Sequence, residues 1–176
     1  LINLLAKECD KHLETRIASL CDPTDFAGLP MNDGNGGVVY AAPRWAMNIT
    51  AHGGGLLFLD EIGGAPPTVQ MGLMRVCLDK IVGDHALPKD DTWVVACSNP
   101  TDQTPGGFDF APPLANRFCH PHLSQASSGL EKLHPRESSD GCLVCQVSTR
   151  DDIVTPQRGV ATGWRLAVSK VLDCCR

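Results

Sequence analysis

Residues 53–70, GGGLLFLDEIGGAPPTVQ, drive four consecutive apolar residues (56–59) straight into the adjacent carboxylates Asp60 and Glu61, and then into Pro66 and Pro67. A short uninterrupted apolar run bounded by glycines and acids is the pattern of a central parallel strand covered on both faces. Neighbouring carboxylates repel, so a strand that leaves a core directly into such a pair calls for something that offsets the charge. In open α/β sheets ligands bind outside the carboxyl ends of the strands, where this pair would lie. A divalent ion there offsets the charge; the plainer reading is a strand that ends in solvated acids.

The flanking sequence supports a layered α/β chain. Over residues 66–80, Val69, Leu73, Val76 and Cys77 recur at helical spacing, with prolines at the start, Lys80 in the last turn and Gly83 beyond it. Upstream, residues 1–9 have helical spacing without a capping residue, and Leu13, Thr15 and Ile17 alternate as in a strand. Residues 21–37 are dense in Asp, Pro, Asn and Gly and read as turn or loop, followed by a short strand at VVY and a helix over 43–52. Downstream, IVGDHALPKDDTWVVACSNP reads as a strand, a turn through 88–91, and a strong strand over 93–97 that ends in Ser98, Asn99 and Pro100. A Gly- and Pro-rich loop then leads to LANRF and a last short strand near residues 118–123. Strand and helix alternate, which predicts a mostly parallel sheet sandwiched by helices. The expected organisation is a core over 1–123 and a divergent, irregular tail over 124–176, with weak helical periodicity only in 160–172.

Composition narrows the function classes. A chain of 176 residues, 43% hydrophobic and 20% charged, suffices for one domain with its own core. Fifteen Lys and Arg against twenty Asp and Glu, without clustering, give no nucleic-acid footprint. No apolar run reaches the roughly 18 residues of a membrane span, and no signal peptide opens the chain, so the expected location is cytoplasmic. Of the nine cysteines, Cys9, Cys21, Cys77, Cys97 and Cys119 read as reduced core thiols. Cys142, Cys145, Cys174 and Cys175 include a CxxC and are four conceivable zinc ligands, though adjacent cysteines and a separation of about 30 residues fit a finger poorly.

Four apolar residues followed by Asp-Glu match the Walker B pattern, in which the Asp holds Mg²⁺ at the β and γ phosphates and the Glu polarises the attacking water. GGGLLFLDEI, then APPTVQMGLMRVCLDK, VVACSNP and PLANRF in that order resemble the AAA+ ATPases, in particular the MoxR-like and dynein-related branch, over about residues 1–122. The resemblance implies a P-loop NTPase core with ATP and Mg²⁺ as cofactors, in a homo-oligomeric ring, a hexamer, that remodels protein clients. It assigns Asp60 to the metal, through water, and Glu61 to the catalytic base. Asn99 matches sensor 1, the amide that positions water against the γ phosphate. Arg117 matches the arginine finger that reaches a neighbouring subunit's nucleotide, a role worth on the order of 10³ to 10⁵ in rate. Read alone, without the resemblance, Asn99 before Pro100 is a turn residue first, and Arg117 an ordinary surface arginine at a helix end. Residues 22–55 resemble an insertion that in this branch faces a pore or a partner.

Two departures qualify the match. No GxxxxGK[ST] phosphate loop occurs in the sequence; the expectation is a fragment that starts just after that loop and binds ATP weakly or not at all. Beyond residue 123 the resemblance stops, and no sensor 2 arginine can be named. The alternatives are a non-catalytic nucleotide-sensing or protein-interaction domain and a degenerate remnant.

Overall fold

The computed structural model describes residues 2–98, 108, 110–118, 122–123 and 142–147, the last two segments as backbone strands. Three parallel strands form the centre: β1 (Leu13–Ile17), β4 (Gly55–Asp60) and β7 (Thr92–Ser98). β4 lies between the other two, with Leu13 opposite Leu56 and Leu57 opposite Val94. Alternation along β4 sends Leu57 and Leu59 to one face and Leu56 and Phe58 to the other. The first face packs on α3 (Arg44–Ala51) and α4 (Pro67–Asp79) through Trp45, Ile49, Val69, Leu73 and Val76. The second packs on α1 (Ile2–Glu8) through Leu5. Both faces are therefore covered, which is why the strand carries no polar residue until Asp60. The α/β character and the mostly parallel sheet agree with the sequence reading.

The sheet continues beyond the centre in the order β1-β4-β7-β9-β8, where β8 is His122–Leu123 and β9 is Cys142–Val147. β9 pairs in parallel with β7 over Val94 to Ser98, so the segment after residue 123 contributes a strand between β7 and β8. The helical periodicity of 160–172 and the cysteines at 174 and 175 lie outside the described residues.

Three local expectations need correction. Residues 21–37 are not simply loop: they contain α2 (Thr24–Ala27) and β2 (Leu29–Asn32), and β2 pairs antiparallel with β3 (Val38–Ala41). The Asp, Asn and Gly residues are the turn of that hairpin. Asp33 Oδ1 accepts from the amides of Asn35 and Gly37, and Asn32 Oδ1 from Gly34, while Gly34 and Gly36 take positive φ. α2 is held by tertiary contact, because buried Phe26 lies against Trp45, whose Nε1 donates to the Asp25 carbonyl at 3.0 Å. Residues 81–86 form a miniature hairpin, β5 (Ile81–Val82) with β6 (His85–Ala86), turning at Gly83 with φ +60°. Lys80 is not in the last turn of α4. It follows the helix in a left-handed conformation, buried, with Nζ donating to the Cys77 carbonyl at 3.0 Å.

One buried polar side chain ties α4 to the chain that returns over it. Gln70 is fully buried; its Nε2 donates to the Ala65 carbonyl at 3.0 Å and its Oε1 accepts from the Ala111 amide at 2.8 Å. Ala111 leads into α5 (Pro112–Ala115), whose Leu114 is buried in the same core. Removing the amide leaves the buried Ala65 carbonyl and the partly buried Ala111 amide without this partner. Gln70→Leu should lower the free energy of unfolding in urea by about 1–3 kcal/mol; an unchanged midpoint would show that the staple carries no stability.

Candidate functional site

Parallel strands end at a common rim. Ile17 of β1 is opposite Asp60 of β4, and the pair Leu59–Ala96 places Asp60 next in register to Cys97 of β7. The chain after β1 forms a 3-10 turn, Ala18–Leu20, and the chain after β4 forms another, Ile62–Gly64. These two turns touch. A Cβ on Gly64 would lie 3.2 Å from the Ser19 Cβ, so the small residue permits the approach.

Glu61 sits between the strand and its turn with φ 53° and ψ 39°. A left-handed backbone at a residue with a Cβ costs on the order of 1–3 kcal/mol, and the surrounding packing must impose it. Here the cause is visible on both sides: Leu59 and Ile62 are both fully buried, and the chain must reverse between them. The reversal leaves Glu61 exposed at the rim and Asp60 half-buried beside it. Ser19 Oγ donates to Glu61 Oε2 at 2.6 Å, and the Glu61 amide donates to Asp60 Oδ1 at 3.0 Å. The two carboxylates are thus individually oriented. Among the described residues the ion pairs are Lys11–Asp91 and His12–Glu14, and neither involves the acid pair.

Sequence reasoning names Asp60, Glu61, Asn99 and Arg117, and the structure brings together the first two. Asn99 lies outside the described residues; β7 is described as far as Ser98. Arg117 follows α5 and folds back on it, with Nη1 donating to the Pro113 carbonyl. Two neighbours escape the sequence reading. Ser19 becomes visible only once the end of β1 is aligned with the end of β4, and Cys97 only once its register against Asp60 is known.

Chemically, the rim offers two oriented oxyanions and few direct ligands. No group of three or more His, Cys, Asp or Glu side chains able to cage a metal occurs among the described residues. That donor set suits Mg²⁺, which keeps several waters and takes one or two carboxylates, better than a cation needing an all-protein cage. No family model matches this chain, and no curated protein matches it.

Cys97 reports on the pair. Burial, and after it the negative charge of Asp60, push the Cys97 thiol from its ordinary 9.0 up to about 11. The folded state therefore holds this proton more tightly than the unfolded chain. The stability it contributes is complete below pH 9.0 and is lost as the pH rises through about 11. Asp60→Asn should bring the thiol only part of the way back, since burial remains. The difference in thiolate ultraviolet absorbance between the wild type and Cys97→Ser, followed with pH, measures this; an unmoved titration in Asp60→Asn would separate the thiol from the carboxylate.

Proposed function

We propose that the Asp60–Glu61 rim is the metal and nucleotide centre of an ATPase of the AAA+ type, of the MoxR-like branch, with Mg²⁺ and ATP as its ligands. The observation that carries the reading is the placement of two adjacent, separately hydrogen-bonded carboxylates at the end of the central parallel strand, with no cation paired to them among the described residues. In this reading Asp60, continuing the strand, would hold a water of hydrated Mg²⁺. Glu61, exposed and hydrogen-bonded by Ser19, would polarise the attacking water as a general base. Asn99, one residue beyond β7, would position that water from the neighbouring strand. Arg117 would act on the nucleotide of an adjacent copy in a homo-hexameric ring, which requires its guanidinium to leave the Pro113 carbonyl. Coupling of hydrolysis to remodelling of a protein client, in the cytoplasm, completes the proposal.

A second reading is a nucleotide-sensing or interaction domain without turnover. The 176 residues contain no GxxxxGK[ST], the loop whose amides and lysine grip the phosphates. Calorimetric titration with ATP and Mg²⁺ distinguishes the outcomes. The chain should bind with weaker than micromolar affinity, Asp60→Asn should weaken that binding by about tenfold, the cost of one charged contact, and Glu61→Gln should bind as the wild type does. Phosphate release by the wild type that disappears in Glu61→Gln favours the enzyme; none in either favours the sensor. Micromolar ATP binding untouched by Asp60→Asn would contradict both readings.

A further inference from the structure

The opposite rim of the sheet holds a different group of titratable side chains. A cavity of about 420 Å³ there is lined by the end of α1, the turn before β1, the turn between α3 and β4, and Asp91. In its wall the rings of His12 and His52 stack in parallel, 3.9 Å between centroids and 4° between planes. His12 immediately precedes β1 and His52 immediately follows α3, so the stack joins the entries of two adjacent strands. The same junction is closed by the Leu56 amide donating to the His12 carbonyl at 2.7 Å.

The partners of each ring fix where its proton sits. His12 Nε2 lies 3.0 Å from Glu14 Oε1, a carboxylate that accepts, so this nitrogen carries the hydrogen. His52 Nδ1 lies 2.8 Å from the Asn48 carbonyl, which also only accepts. His12 Nδ1 and His52 Nε2 are left as the basic positions. Glu14 is held in place by a further bond from Asn48 Nδ2 at 2.8 Å. Burial works to raise its carboxyl, but the bonds from His12 and Asn48 outweigh that and hold it below the ordinary carboxylate range, so it stays charged beside His12.

We propose that the His12–His52 stack is an acid-sensitive latch at the amino-terminal rim of the sheet, closed while the stack carries at most one positive charge and opened by a second. One positive charge on the stack is met by Glu14. A second places two imidazolium rings face to face at 3.9 Å, and the other charges around the cavity offer no net compensation. Asp91 is engaged by Lys11 at 2.7 Å, which leaves Asp10 from the turn against Lys7 from α1. The repulsion between two like charges stacked at this distance is what acts on structure. Opening releases the turns at 10–12 and 52–54 and leaves the acid pair at the far end of β4 untouched.

Unfolding in urea, followed from pH 7.5 to pH 5 in the full chain, tests the latch. The unfolding equilibrium constant of the wild type should rise by about tenfold more than that of His52→Gln, which retains a side-chain donor for the Asn48 carbonyl but cannot acquire the second charge. Superimposable pH profiles for the two proteins would overturn the proposal. Should His52→Gln fail to fold, amide hydrogen exchange of the wild type decides the matter. Protection factors at 10–14 and 52–56 should fall on acidification while those of β7 hold, and uniform protection across both regions would overturn it.

Discussion

The constraint on which the rest depends is the two-sided burial of β4. A strand with helices on both faces and parallel strands on both edges has little solvent along its length, with Leu56, Leu57 and Leu59 fully buried and Phe58 partly so, and this favours apolar side chains from Leu56 to Leu59. Polar chemistry is thereby confined to the ends. Each such Leu contributes roughly 1.5–3 kcal/mol of transfer free energy on burial, so β4 acts as the rigid axis on which both rims are hung. The carboxylates at one end and the histidine stack at the other are consequences of where the strand meets water.

The acid rim draws its geometry from the reversal at Glu61. Leu59 and Ile62 are both committed to the core, and a left-handed residue between them is the shortest way to satisfy both. The conformation gives the two carboxylates different partners: Asp60 continues the strand direction and accepts the Glu61 amide, whereas Glu61 turns outward to Ser19. Neighbours in sequence thus acquire different environments, one along the strand and one at the exposed rim.

Much of this was legible in the sequence where periodicity is unambiguous. The apolar run of β4, the helical spacing of α4 and the alternation of β1 each reflect a packing demand that acts through one element at a time. The hairpin of β2 and β3 was only half legible, because Asp33, Asn35 and Gly37 suit an open loop and a hairpin turn equally, and what distinguishes them is the pairing of Leu29 with Ala41. α2 has loop composition and persists because Phe26 is buried against Trp45. At the site, Asp60 and Glu61 could be read from the end of a strand. Ser19 and Cys97 could not, since their roles arise from register between strands separated by about forty residues, a quantity that local pattern does not encode.

The central claim is that the Asp60–Glu61 rim receives a divalent cation. Titration with Mn²⁺ as a paramagnetic stand-in for Mg²⁺ tests it most directly, observed through amide resonances. The account predicts selective broadening at Asp60, Glu61, Ile62 and Ser98 at substoichiometric Mn²⁺, reversed by excess Mg²⁺, while His12 and Gly53 at the far rim stay sharp. Broadening that spares residues 60–62, or that affects both rims alike, would contradict it.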